Sequence, residues 1–348
     1  MMLSGGRDEP INLRQAPQRS RVRVIARNRQ VLMRTCRQLC IGLLFGLLHT
    51  QPGLAAETHA DTVWLLSSHT NGDYQKVADA FIQRLAPPPE QQLTIRVINA
   101  ETETDALTFK PGTTPPSLIV AIGSDAARLA EAAPRTVPVL DILIPRLLYE
   151  QLPPAGSARS ALYIDQPFQR QLNLCRLIVP DLRHLAVLYG PTSQGSDQAL
   201  RSAAQQSGVT LITQHVTAGT NPNDALDQVL DDSQLLLALP DPDVFTRYTV
   251  AGLLLTAYHH AVPVIGFSAA YVKAGALAAV YSTPEQIGRD AAEMVLAARA
   301  DAGWVLPAPR YPAFFSIAVN RQVGRSLSLK LPDDTELQQA LEDKEQAQ

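Results

Sequence analysis

Cysteine is scarce: of three, only Cys175 lies beyond residue 55. That excludes an intramolecular disulfide framework and a cysteine-built zinc site in the body of the chain. Aromatic residues are few, at 5%, and no apolar run is long enough for the roughly 20 helical residues that a bilayer requires. Phosphate-binding and dinucleotide glycine motifs are missing, as are His-Glu-x-x-His and Gly-x-Ser-x-Gly. Gly266-Phe-Ser268 lacks the second glycine of a nucleophile elbow. His259 and His260 are adjacent and so point in different directions on a helix. An enzyme is therefore not expected, nor is a cofactor or a metal.

Positive charge is short where it would matter for nucleic acid. Nine of the 30 Lys and Arg fall in residues 1–55, against only Asp8 and Glu9. The remainder holds 21 basic and 31 acidic side chains, and a body that acidic repels a phosphate backbone.

What is there begins with the leader. An Arg-rich start runs into the apolar stretch Leu39–Leu48, then Gln51-Pro-Gly-Leu-Ala-Ala-Glu57 with small residues at Gly53 and Ala55. This is the arrangement of a secretory signal peptide over residues 1–55, and it predicts a periplasmic protein. Met33 would begin a leader of ordinary length, so translation is expected to start there.

From Thr62 onward, short apolar runs alternate with amphipathic stretches. Strands are expected at Val63–Leu66, Leu93–Ile98, Ser117–Ile122, Val137–Leu140, His184–Tyr189, Val209–Thr213, Gln234–Leu239, Val262–Phe267 and Phe314–Val319. Helices are expected at Asp73–Leu85, Asp125–Ala133, Gln194–Gln206, Asn223–Leu230, Val244–His260 and Glu285–Ala300. Continuous apolar strands between helices imply α/β architecture, with parallel sheets covered on both faces. The two blocks meet near Ser160–Gln166, taken as the first crossover. Cys175 falls in an apolar pattern and is expected to be a buried structural thiol. After Leu331 the chain turns polar; Asp334 is expected to cap a short helix and the rest to fray.

Ligands of open α/β sheets lie beyond the carboxyl ends of the strands. The residues there are Ser67-Ser68-His69, Gly123-Ser124-Asp125, Asp141, Tyr189-Gly190-Pro191, Pro240-Asp-Pro-Asp243 and Ser268 with Tyr271. Hydroxyls, carboxylates and rings without Lys or Arg before Lys273 suit a small polar or zwitterionic molecule.

Several stretches together resemble the ABC transporter substrate-binding protein family that includes tryptophan- and tyrosine-binding lipoproteins. They are Val120–Ser124, the helix Gln169–Ile178 with Val179-Pro-Asp181, Leu185–Tyr189, Leu235–Val244, Pro263–Ser268, Tyr271–Ala279, Gln286–Ala292 and Phe315–Asn320. The resemblance spans about Pro116 to Leu331. It implies a two-lobed, type I-like periplasmic binding protein with three interlobe crossovers, in which each lobe is a parallel sheet flanked by helices and the ligand cleft lies between them. Lobe 1 would hold residues 56–160 and 284–305, lobe 2 residues 161–283 and 306–335, with 336–348 a polar tail. Closure about the crossovers would trap the ligand, and an inner-membrane ABC permease would be the partner.

Carried over by position, Ser67, Ser68, Gly123 and Ser124 face the cleft from lobe 1, and Tyr189, Asp241 and Ser268 from lobe 2. Gly123-Ser124 at a helix start suits a carboxylate, Asp241 an ammonium, and Tyr189 an apolar or aromatic group. Each is alternatively a loop residue that bonds its own backbone. The segment Leu140–Tyr149 departs from the small-residue stretch usual in the family, which leaves the ligand open. The alternative role is a periplasmic sensory or accessory module serving a membrane receptor or an outer-membrane uptake system.

Overall fold

A computed structural model describes residues 61–85, 93–107, 114–153, 159–217, 219–300 and 303–346. The expected leader, Met33 and Pro87-Pro-Pro89 lie outside the described residues. Five parallel strands form the first sheet: β1 (Asp61–Ser67), β2 (Leu93–Asn99), β3 (Leu118–Ile122), β4 (Val139–Ile144) and β5 (Arg159–Tyr163), in the order β2-β1-β3-β4-β5. Between them run α1 (Gly72–Leu85), α2 (Ser124–Leu129) and α3 (Arg146–Gln151).

The second sheet follows α4 (Phe168–Ile178). Its members are β6 (His184–Tyr189), β7 (Thr210–His215), β8 (Leu235–Leu237), β9 (Val264–Gly266) and β10 (Ala278–Tyr281), joined by α5 (Asp197–Gln206), α6 (Pro222–Leu230), α7 (Val250–His259) and α8 (Ala269–Ala274). The chain then forms α9 (Pro284–Ala298), the short hairpin β11 (Arg299–Ala300) and β12 (Gly303–Trp304), then β13 (Ser316–Val319), α10 (Arg321–Ser326) and α11 (Asp334–Gln346). The second sheet's order is β13-β10-β9-β8-β6-β7, parallel throughout except for β13.

Both faces are covered on the central strands of each sheet, which is why those strands read as unbroken apolar runs, whereas the edge strands β2 and β7 carry polar residues and are partly exposed. In β1, Val63 and Leu65 face Val77 and Phe81 of α1 and Ile287 and Met294 of α9, while Trp64 and Leu66 join Ala126 of α2 on the opposite face. In β6, Leu185 and Val187 pack with Leu172 and Cys175 of α4, whereas Ala186 and Leu188 pack with Leu226 of α6 and Leu253 of α7. Cys175 is fully buried, and that burial pushes its thiol up to about 12.

Four features differ from the pattern-based expectation. The stretch taken as the first crossover contains β5, whose Ala161 and Leu162 are fully buried; the chain leaves the sheet only at Ile164. The helix expected from Val244 starts at Val250, because Thr246 and Thr249 divert the preceding backbone. The Thr249 hydroxyl accepts from Thr246 N at 2.9 Å and donates to Val244 O at 2.6 Å. β13 runs antiparallel to its neighbour.

The fourth is the tail, which does not fray within the described residues. Leu337 and Leu341 are fully buried, and the cap is Asp333 rather than Asp334. Asp333 Oδ1 accepts from Glu336 N at 2.9 Å while Glu336 Oε2 accepts from Asp333 N at 3.1 Å, a reciprocal capping box. Two leucines four residues apart are too sparse a stripe to recognise in a polar segment.

Candidate functional site

β1 and β3 are neighbours, so the loops after them meet. Ser67 donates its hydroxyl to His69 O at 2.5 Å, and the buried Ser68 Oγ accepts from Ala126 N at 3.0 Å, satisfying one donor at the start of α2. Gly123 has φ 90°, a backbone only glycine adopts without strain. A Cβ there would stand 2.6 Å from the Tyr74 ring and 2.7 Å from Ser68 Oγ. Ser68, Gly123 and Tyr74 are thus packed against one another, and the half-exposed Ser124 follows them.

Tyr74, in the first turn of α1, meets the His69 ring edge-on at 4.8 Å, and His69 Nδ1 lies 2.7 Å from Glu101 Oε1. Burial, then the Asp125 and Asp73 carboxylates, push the Tyr74 phenol up, so it stays protonated as a hydrogen-bond donor at neutral pH. Asp141 lies within β4 rather than beyond it, fully buried and paired with Arg159.

On the second sheet β8 lies between β6 and β9. Tyr189 ends β6 fully buried, its ring stacked on His215 at 5.4 Å. Burial, with Asp197 second, pushes its phenol well above the ordinary range. Asp241 is 3% exposed. Its Oδ2 accepts from Ser193 N at 2.7 Å and its Oδ1 from Asp243 N at 2.9 Å. A Cβ on Gly190 would come within 2.6 Å of that carboxylate. Asp241 therefore staples the loop after β8 to the loop after β6. Ser268 caps α8, accepting from Tyr271 N at 3.4 Å.

The structure accordingly brings Ser67, Ser68, Gly123 and Ser124 together on one sheet, and Tyr189, Asp241 and Ser268 around neighbouring strand ends of the other. What joins the two ends is a contact outside that set. α3, after β4, carries Leu147 to Gly195 in the turn after β6; a Cβ on Gly195 would lie 3.1 Å from Leu147 Cδ2. α3 is held from behind: Arg146 N donates to Asp165 Oδ2 at 2.6 Å and the Tyr149 hydroxyl to Arg159 O at 3.2 Å. Tyr74 and Leu147 are the residues sequence reasoning missed. An aromatic in the first turn after β1 and a Pro-started leucine pair after β4 were the available signals.

Asp241→Asn provides a direct check on what that carboxylate does. An amide has one acceptor oxygen for the two N–H groups, so stability is expected to fall by about 1.5–3 kcal/mol. Urea unfolding of the two proteins measures it; an unchanged midpoint would show that the staple contributes nothing.

A model of the family described as ABC transporter substrate binding protein matches residues 91–298. No curated protein matches by sequence. Among solved structures, a ligand-free, open substrate-binding protein with adhesive properties from Clostridium difficile aligns with TM-score 0.64 at 18% identity, covering 79% of this chain and 97% of its own. A domain from Streptococcus pneumoniae in complex with L-Trp aligns at 0.54 and 15%, over 80% and 98%. A conserved domain protein from Vibrio cholerae aligns at 0.53 and 19%, over 81% and 98%. At these identities the likeness is one of fold. Among the described residues no helix is long and apolar enough to cross a membrane.

Proposed function

We propose a role from one premise: the chain belongs to the ABC transporter substrate-binding protein family, whose model covers more than half of its length. It is a substrate-binding protein rather than an enzyme. The finer reading is that it works in the periplasm, holds a small polar or amino-acid-like ligand between the carboxyl ends of its two sheets, and presents it to an ABC permease. The observation that carries this reading is the approach of those two ends at Leu147 and Gly195. Two parallel sheets whose carboxyl ends converge make the crevice in which such folds bind ligands.

In this reading the described residues of 61–163 with 284–311 act as one lobe and those of 168–281 with 316–346 as the other, turning about the crossings between them; the expected bounds at 160 and 305 shift because β5 and Arg310 stay with the first sheet. Ser124, His69 and Tyr74 contact ligand from the first lobe and Ser268 from the second. Ser67, Ser68, Gly123, Tyr189 and Asp241 hold the loops that present those contacts. Glu101 and Asp125 beside this rim favour a ligand carrying an ammonium group, and the L-Trp complex of a structural neighbour is in keeping with an amino acid.

Native mass spectrometry of the exported protein, before and after mild denaturation, is the test. A released small molecule is the expected result. Its return should raise unfolding stability as RT ln(1 + [L]/Kd), about 2.7 kcal/mol at a hundredfold excess. An empty protein with flat thermal shifts against amino acids, nucleosides, sugars and short peptides would overturn ligand delivery and favour the accessory module.

A further inference from the structure

The chain passes between the two sheets at three places among the described residues: after β5 at residues 164–167, after β10 at 282–283, and before β13 at 312–315. Residues before the third passage remain with the first sheet. Arg310 N donates to Ala161 O at 2.9 Å, its guanidinium pairs with Asp290 of α9, and Ala313 N donates to the same carboxylate at 2.7 Å. Any turning of one sheet against the other must be absorbed in these three short segments.

All three are tied together. Gln166, in the first, donates from Nε2 to Ser282 Oγ of the second at 2.9 Å, and the Ser282 hydroxyl donates to Phe314 O of the third at 2.6 Å. Above them sits Arg170, in the first turn of α4 and 5% exposed. Its Nη1 donates to Gln166 Oε1 at 2.6 Å and to Pro312 O at 3.0 Å, and its plane lies over the Phe315 ring at 4.2 Å. The other side of the guanidinium grips Glu345 of α11, Nη2 to Oε2 at 2.6 Å and Nε to Oε1. One rigid fork thus holds the first passage, the third and the C-terminal helix at once, and Gln166 extends it to the second. Guanidinium geometry suits this because its donors point in fixed directions. Glu345 supplies the charge that keeps the fork buried rather than drawn toward water.

We infer that Arg170, clamped by Glu345, is the positioning residue that couples the three passages and sets how freely the two sheet bodies turn about them. The inference rests on the two-lobe reading above, but its readout needs no ligand. The polar C-terminal segment is then part of the hinge rather than an appendage.

The test is the distance between spin labels at Glu131→Cys and Asp232→Cys, exposed positions flanking the first and second sheets. Cys36 and Cys40 are replaced by Ser, and the buried Cys175 is left in place. Electron–electron resonance compares this protein with Glu345→Gln and with Ser282→Ala, which cuts the tie without touching α11. Both variants are expected to raise a second, more separated population roughly tenfold, equivalent to about 1.4 kcal/mol. Unchanged distance distributions in both variants, even with lowered melting temperatures, would reduce the network to structural glue and overturn the inference. Should Glu345→Gln release α11 altogether, Ser282→Ala decides alone. A protein that carries no small molecule yet shows the shift leaves this inference standing while the function reading falls.

Discussion

Asp141→Ala is expected to lower stability by about 3–5 kcal/mol, the cost of stranding one partner of a buried ion pair. Asp141 is fully buried in β4, and the Arg159 side chain beside it on β5 is 7% exposed. Arg159 Nε reaches Oδ2 at 2.6 Å and Nη2 reaches Oδ1 at 3.0 Å, while Nη2 also donates to Ala127 O at 2.8 Å. Removing the carboxylate leaves a guanidinium with a single carbonyl partner in a place water does not reach. The double variant Asp141→Leu with Arg159→Met should recover most of the loss, since two apolar chains leave nothing unpaired. Urea unfolding at neutral pH of both singles and the double provides the cycle; full additivity would show that the two do not interact.

A pH dependence follows from the same pair. Burial pushes the Asp141 carboxyl up to about 6 against the pull of Arg159. The folded state then binds a proton more readily than the unfolded chain, whose carboxyl titrates near the ordinary value of 3.8. Between these two values folding takes up a proton, so this group's contribution makes stability fall as pH rises through the window, and it is constant above it. Asp141→Asn removes that share of the slope. Stability measured from pH 4 to 7 in both proteins would show the difference, and parallel curves would refute it.

Gly288→Leu should be as damaging, by another route. α9 returns from the second sheet to lie on α1, and at Gly288 the two backbones touch. A Cβ there would stand 2.3 Å from Val77 O, 2.9 Å from Ala80 Cβ and 3.0 Å from Phe81 N. Two of those three atoms are main chain and cannot swing aside. Glycine within a helix ordinarily costs about 0.5–1 kcal/mol relative to alanine, so Gly288→Ala would normally stabilise. Here the sign reverses, because one methyl forces the helices apart and opens contacts around Val77, Phe81, Ile287 and Ala291, all fully buried. Overpacking typically costs about 1–3 kcal/mol, and leucine is expected at or beyond the upper end. Glu293→Ala, also on α9, removes only the half-exposed pair with Arg84 of α1 and should cost under about 1 kcal/mol. Equal midpoints for the two variants would contradict the close approach.

The strands most legible in the sequence are those buried along most of their length, although β2, β7 and β13 were expected too and are only partly buried. Leu118–Ile122 and His184–Tyr189 announce themselves because both faces are covered and no polar residue interrupts them. β5 was hidden because it is short, begins at an arginine that acts through its side chain, and follows a proline-rich stretch. α3 was hidden because none of its residues is fully buried. In the candidate site, the gathering of Ser67, Ser68, Gly123, Ser124, Asp241 and Ser268 at strand ends was legible from the α/β alternation. The direction in which Asp241 spends its two oxygens was not: Ser193 is 48 residues away, and no local pattern encodes that bond.

Sequence by itself determined the α/β class, the placing of chemistry-bearing residues at carboxyl strand ends, and the family resemblance. These depend on residue periodicity and on short contiguous motifs, both local quantities. Only the tertiary structure decided that Tyr189 lies beneath His215 rather than at an open surface, that Leu147 reaches Gly195, and that Glu345 closes a network with Arg170 from 175 residues away. Each of these depends on which distant segments share a volume. That is settled by the packing of whole sheets and helices, where many small burial energies act together and no single window of residues carries the answer.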